Sequence, residues 1–165
     1  MHPVDEIVAK WIAQRPDIDP TPPLRVIGRL ERVFRLVDNS LVRIFKAHGL
    51  NNSSFDVLAT LRRSGDPFRM TSSELARSTL ITNSAVTQRL DKLEAAGLVT
   101  REGDPSDRRV VYAQLTPDGL TLIDEVTPSH FENEAHILSG LTGEERHSLA
   151  ELLDKLEKSI PRPTP

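Results

Sequence analysis

Apolar residues recur at three- and four-residue steps along most of the chain, and the breaks in that rhythm divide it into helices. Residues 4–14 place Ile7, Val8, Trp11 and Ile12 in an amphipathic helical pattern that Arg15-Pro16 stops. Residues 17–23 are proline-rich and read as an extended linker. From Leu24 the series Ile27, Leu30, Phe34, Val37, Leu41, Ile44 and Phe45 predicts one long helix ending near Gly49. Asn52 or Ser53 caps the next helix, over 55–63, with Phe55, Leu58 and Leu61 available to a core before Gly65-Asp66-Pro67 breaks it. Thr71-Ser-Ser-Glu74 is a capping box, since hydroxyl and carboxylate can each accept from a free backbone N–H at the helix start. The short helix it opens runs through Ala76 and Arg77, and a turn over 78–81 leads to a further helix capped by Thr82 or Asn83.

In that further helix Val86, Leu90 and Leu93 share one face, and Gly97 follows where a left-handed C-terminal cap belongs. Strands are predicted at 98–100 and 110–115, joined by the turn-rich segment 102–109. Thr116-Pro117 then opens a helix holding Leu120, Leu122, Ile123 and Val126, with a kink or break expected at Pro128 and a resumption over 131–138. A second capping box, Thr142-Gly-Glu-Glu145, starts a last helix lined by Leu149, Leu152, Leu153, Leu156 and Ile160, and 161–165 reads as a disordered tail.

Two short helices joined by a tight turn and followed by a β-hairpin make a winged helix-turn-helix. The fold class is therefore mainly α with a small β-hairpin wing. The chain divides into an N-terminal helix (1–16), a linking helix (24–50), the winged helix-turn-helix (51–116) and C-terminal helices (117–160). The small winged unit cannot cover all the apolar faces outside it. Such a surplus predicts a second copy of the chain, joined through the N- and C-terminal helices.

Composition narrows the function. The 165 residues contain no cysteine, which removes thiolate chemistry, and the five histidines include no pair at the spacing that puts two metal ligands on one helical face. No nucleophile and base pattern or phosphate loop is present, so an enzyme is not expected and neither is a cofactor. No apolar run approaches the roughly 20 residues of a membrane span, and the first residues do not match a secretory signal, so a cytoplasmic protein without membrane contact is expected. A net charge of -3 does not announce a nucleic-acid binder, but charge is uneven: acidic and basic residues nearly balance over 69–115, whereas 116–165 is markedly acidic. Docking depends on local charge, because screening limits reach to about 8 Å at physiological salt.

The polar front of the helix after Thr82 carries Ser84, Thr87, Gln88, Asp91 and Lys92. Short hydrogen-bonding side chains on such a face suit a DNA major groove, where polar tips must reach base edges, although an ordinary solvated surface would look similar. Arg108 and Arg109 sit at the tip of the hairpin, directly after the helix-turn-helix, which favours a DNA contact over a merely solvated turn.

Five segments, Ser73-Glu-Leu-Ala76, Ala85-Val-Thr-Gln-Arg-Leu90, Leu93-Glu-Ala-Ala-Gly-Leu98, Asp107-Arg-Arg109 and Leu115-Thr-Pro-Asp-Gly119, stand in an order and spacing that closely resemble the MarR family of bacterial transcriptional regulators. The resemblance implies a homodimer with one winged helix per protomer, bound to a pseudo-palindromic double-stranded operator. It places Asn83, Ser84, Thr87 and Gln88 in the major groove, with Arg89 and Lys92 on the same helix near the DNA, and sends Arg109 beside Arg108 into the minor groove, steadied by Asp107. A narrow minor groove concentrates negative potential and favours an inserted arginine, and a carboxylate two residues earlier can hold the guanidinium.

The chain also resembles the urate-responsive members of that family, which add a helix before the usual first one. Their ligand set falls here on Trp11, Asp56, Arg63 and Arg89. The implied ligand is small, anionic and aromatic, urate by preference: Trp11 offers a stacking surface, and arginine suits a planar anion. Trp11 could equally be a packing residue, Asp56 and Arg63 a structural ion-pair network, and Arg89 a phosphate contact. A different effector, phenolic or tricarboxylic, and a protein-interaction module that has lost DNA binding are the competing readings.

Overall fold

The computed structural model describes residues 2–79, 83–107 and 109–161, apart from the side chains of Asn83 and Ser84. The alternative cap Thr82, part of the turn over 78–81, Arg108, the side-chain roles of Asn83 and Ser84, and the tail at 162–165 lie outside these residues. The elements run α1 (Pro3–Gln14), α2 (Thr21–Ala47), α3 (Asn52–Arg63), β1 (Arg69–Thr71), α4 (Ser72–Ser78), α5 (Asn83–Ala95), β2 (Val99–Gly103), β3 (Val111–Leu115), α6 (Pro117–Ile137) and α7 (Gly143–Ser159), with a 3-10 turn at Leu138–Gly140 before α7.

The core lies where α3, α5 and α6 meet the sheet. Leu58, Leu61, Leu75, Leu90, Val99 and Ile123 are all essentially buried there. Phe45 of α2 stacks on Phe55 of α3 with ring centroids 4.4 Å apart, and the His130 ring of α6 lies 4.4 Å from Phe55, so aromatic contacts tie three helices together. α6 enters this core against the start of β2. A Cβ on Gly119 would fall 2.0 Å from the Leu98 carbonyl oxygen, so only glycine lets the two backbones approach this closely.

Both capping boxes form: Thr71 with Glu74, and Thr142 with Glu145. Gly97 takes φ 72°, and Leu98 N–H reaches back to Leu93 C=O at 2.9 Å, which closes the expected left-handed cap of α5.

The structure corrects several expectations. The wing is not a two-stranded hairpin alone: β1 adds to it, giving the antiparallel order β1-β3-β2 with Met70 opposite Ala113 and Val99 opposite Leu115. Three residues show no alternation, and β1 exists because β3 offers it a paired edge. β2 extends to Gly103, so Glu102 and Gly103 belong to a strand and not to the connecting turn. α2 begins at Thr21, inside the presumed linker, because Pro22 and Pro23 fit a first helical turn that needs no N–H and Asp19 accepts from Thr21 N–H at 2.9 Å.

The cap of α3 is Asn51, whose side chain accepts from Ser54 N–H, rather than Asn52 or Ser53. Of the kink or break expected at Pro128, the break does not occur. α6 runs through it as one helix, with Ile123 and Val126 buried before the proline and the His130 ring tilted against the aromatic cluster after it. In α1 the buried residues are Val4 and Val8, whereas Ile7, Trp11 and Ile12 remain about half exposed. Asp5 anchors this helix to α2 through Arg29 at 2.9 Å and Arg25 at 3.6 Å.

Among the described residues no helix is long and apolar enough to cross a membrane. The apolar surplus outside the winged unit is plain: Phe34 is 67%, Phe131 61% and Leu152 64% exposed, and α7 buries no residue at all.

Candidate nucleic-acid interface

α5 is held from behind. Val86, Leu90 and Leu93 are 1%, 1% and 3% exposed, packed against α3, α4 and β2. That spacing turns Thr87, Gln88, Asp91 and Lys92 outward as an exposed polar face. α4, anchored by Leu75 and its capping box, supplies the first helix of the pair. In Glu74 the Thr71 backbone N–H, and then the Thr71 hydroxyl, hold the carboxyl below the ordinary carboxylate range.

The wing is ordered by its own carboxylates. Asp104 accepts from the Ser106 hydroxyl, from the backbone N–H groups of Ser106 and Asp107, and at 3.4 Å from the Tyr112 hydroxyl. The Ser106 hydroxyl, first among these, depresses the Asp104 pKa. Asp107 accepts from the Arg109 backbone N–H at 3.0 Å and from its guanidinium at 3.2 and 3.4 Å, and the backbone bond is the larger cause of its lowered pKa. The Arg109 side chain is 91% exposed, so the ion pair orients a guanidinium that otherwise stands clear of the protein.

Between α5 and the wing lies Arg101 of β2. Its Nη1 is 2.8 Å from Asp91 Oδ1, and its Nε and Nη2 are 2.8 and 2.6 Å from Glu94 Oε2. Glu94 is the main cause of the raised Arg101 pKa. Together with Thr71, Ser72, Ser73, Thr87, Arg109, Val110 and Val111, Arg101 lines a concavity of about 420 Å³. The sequence reading missed Arg101, Asp91 and Glu94 as a group. A signal was available, because Arg101 shares the inward strand face with Val99, and an inward charge needs a partner.

The residues expected to bind an effector are only partly brought together. Arg63, at the end of α3, donates to the Ser78 carbonyl at 2.6 Å, in the segment leading towards α5. Arg89 on α5 is half-buried, and its Nε is enclosed without a hydrogen-bond partner, as is the Thr79 hydroxyl. Asp56 is half-buried on α3, two turns before Arg63. Trp11 lies on α1, which packs on α2, and its side chain is half exposed. Among the described residues no group of three or more histidine, aspartate or glutamate side chains could hold a metal ion.

Comparison with known proteins agrees with this geometry. The family model described as MarR family matches residues 48–110. The HTH-type transcriptional regulator PecS of Dickeya dadantii is 44% identical over 157 residues, covering 95% of this chain and 94% of PecS. Among solved structures, the MarR family regulator Sco3205 of Streptomyces coelicolor, in complex with DNA, superposes with a TM-score of 0.77 at 25% identity, covering 87% of this chain and 91% of that one. BpsR of Bordetella bronchiseptica, whose DNA binding is regulated by 6-hydroxynicotinic acid, gives 0.72 at 28% identity over 81% of this chain and 98% of its own. An apolar-backed recognition helix, an arginine-tipped wing and a relative this similar along nearly the whole length lead to one conclusion: the chain belongs to the MarR family of DNA-binding transcriptional regulators and is not an enzyme.

Proposed function

We propose that the chain is a cytoplasmic repressor that binds a pseudo-palindromic operator as a homodimer and releases it when a small anionic aromatic ligand, urate by preference, binds at Trp11, Asp56, Arg63 and Arg89. In this reading α5 enters the major groove with Asn83, Ser84, Thr87 and Gln88, near Arg89 and Lys92. Arg109, beside Arg108 and steadied by Asp107, enters the minor groove. The exposed apolar faces of α1, α2, α6 and α7 meet their counterparts in a second copy.

The observation that carries the effector half is Arg89. A guanidinium nitrogen enclosed without an acceptor is costly, and an anion would satisfy it. The unpartnered Thr79 hydroxyl, and the guanidinium of Arg63 bonded to the neighbouring Ser78 carbonyl, add further donors. An anion that holds Arg89 better in a displaced α5 than in the DNA-bound position would act as an effector through that difference.

The test is a titration of the purified protein with urate, following fluorescence of its single tryptophan and retention of a duplex enriched from a random-sequence pool. Quenching together with duplex release supports the reading. Duplex binding unaffected by urate, with no quenching, removes urate while leaving the DNA role intact. A second reading, in which an aromatic carboxylate rather than urate is the effector, draws support from BpsR. Quenching and release by 6-hydroxynicotinic acid, and not by urate, would select it. Affinity should also fall with salt, by about 0.9 log units per log unit of salt for each phosphate neutralised.

A further inference from the structure

A winged helix addresses DNA at two places at once, and the two contacts help each other only if the distance between them is fixed. α5 is held by its buried apolar back, whereas none of the described residues of the wing loop between Gly103 and Val111 belongs to the core. Hairpins twist readily, and a displacement of an ångström is enough to spoil a groove contact.

The one ion-pair cluster among the described residues that joins α5 to β2 is centred on Arg101. We propose that Arg101 is a positioning residue: through Asp91 and Glu94 it locks the wing to the recognition helix, so that the Thr87 and Gln88 face and Arg109 meet DNA in one fixed register. The inference rests on the reading that Arg109 contacts DNA.

The geometry is specific to arginine. Asp91 and Glu94 are three residues apart on α5, so their carboxylates stand on one side of it, and a planar fork can satisfy both. Nη1 takes Asp91, while Nε and Nη2 converge on one oxygen of Glu94. The Arg101 side chain is 28% exposed, against 91% for that of Arg109, so the guanidinium of this cluster is much the better shielded from solvent. Across the sheet Arg101 lies opposite Ala113, which is fully buried, so the strand end of the clamp is anchored to the core. Arg101 also offsets two negative charges on a helix that must approach phosphates.

The clamp and its charge can be separated from the helix side. The Asp91→Asn, Glu94→Gln double variant breaks the fork while making α5 less negative. The full-length protein and this variant are each measured with and without Arg109→Ala against the same enriched duplex, with unfolding midpoints recorded to confirm folding.

In the parent, Arg109→Ala should weaken binding about tenfold, the size of a single good groove contact. In the double variant the same change should cost less than about twofold, because a wing out of register has already lost that contact. If charge is all that matters, the double variant binds more tightly and Arg109→Ala still costs the full tenfold, which overturns the clamp. If Arg109→Ala costs nothing in the parent, the wing contact itself fails and the clamp falls with it. Arg101→Met provides a second background, in which the Arg109 penalty should likewise collapse; an undiminished penalty overturns the proposal there too.

Discussion

On α5, Val86 and Leu90 are 1% exposed; on α7, Leu152 and Leu153 are 64% and 42% exposed, although both helices carry apolar residues at the same helical spacing. Their settings even share a device, since α4, the helix just ahead of α5, and α7 each begin with a complete capping box. The difference lies in what surrounds them. α5 is enclosed by α3, α4 and β2 of its own chain, and α7 has no fully buried residue, with only Leu156 half-buried. Periodicity specifies an apolar face, and the neighbours decide whether that face becomes a core or an interface.

The sharpest way to break this comparison is to cut into each region. Leu90→Ala should cost about 2–5 kcal/mol, the range for removing a buried leucine, as a drop in unfolding midpoint that does not depend on protein concentration. A concentration-dependent loss would mean that the winged unit is not self-sufficient. Gly119→Ala should follow, with about 1–3 kcal/mol lost, because the added methyl meets backbone at Leu98 that cannot step aside. Its circular dichroism melt, compared with that of Gly140→Ala, where nothing stands within 4 Å, isolates the clash.

A smaller effect separates the twin capping boxes. Thr71→Ala and Thr142→Ala should each cost about 1 kcal/mol. Only the first should also weaken duplex binding, since α4 supports α5; equal effects on binding would contradict the division of labour. Leu152→Glu should leave the midpoint of dilute protein nearly unchanged and abolish its rise with concentration, as sedimentation and thermal melts over a dilution series would reveal.

The smallest effect is that of pH. Glu74, Glu145, Asp104 and Asp107 all have folded-state pKa values below their ordinary ones, chiefly through backbone or hydroxyl donors. Their stabilisation is therefore present above the ordinary carboxylate range and is lost as pH falls through the depressed folded-state values. Glu74→Gln should flatten part of that acid-side decline; an unchanged slope of midpoint against pH would show that this carboxylate contributes nothing measurable.

Much of the fold was legible because it rests on local signals. The capping boxes at Thr71 and Thr142, the proline after Thr116 and the left-handed cap at Gly97 each name an element boundary within a few residues. What was missed depended on distant partners. Arg69, Met70 and Thr71 become a strand only beside β3, and Pro128 stays inside α6 because packing on both sides holds the helix together. Of the residues expected to face DNA, Thr87, Gln88 and Lys92 stand exposed on α5, and Arg109 stands out from the wing on Asp107. The effector set is different in kind: Arg63 and Arg89 lie near the Ser78 segment and α5, while Trp11 stays on α1 with its side half exposed.

The sequence by itself determined where most helices lie, the caps at Thr71, Gly97, Thr116 and Thr142, the buried back of α5 and the polar residues at its front, since each follows from spacing along a single element. Only the tertiary structure decided that Arg101 faces Asp91 and Glu94, that Arg89 Nε is enclosed without an acceptor, and that Val4 and Val8 rather than Trp11 bury α1. Local propensity acts over a few residues. Pairing of charges and closure of a polar group depend on which elements come to lie side by side, and that is settled by packing of the whole chain.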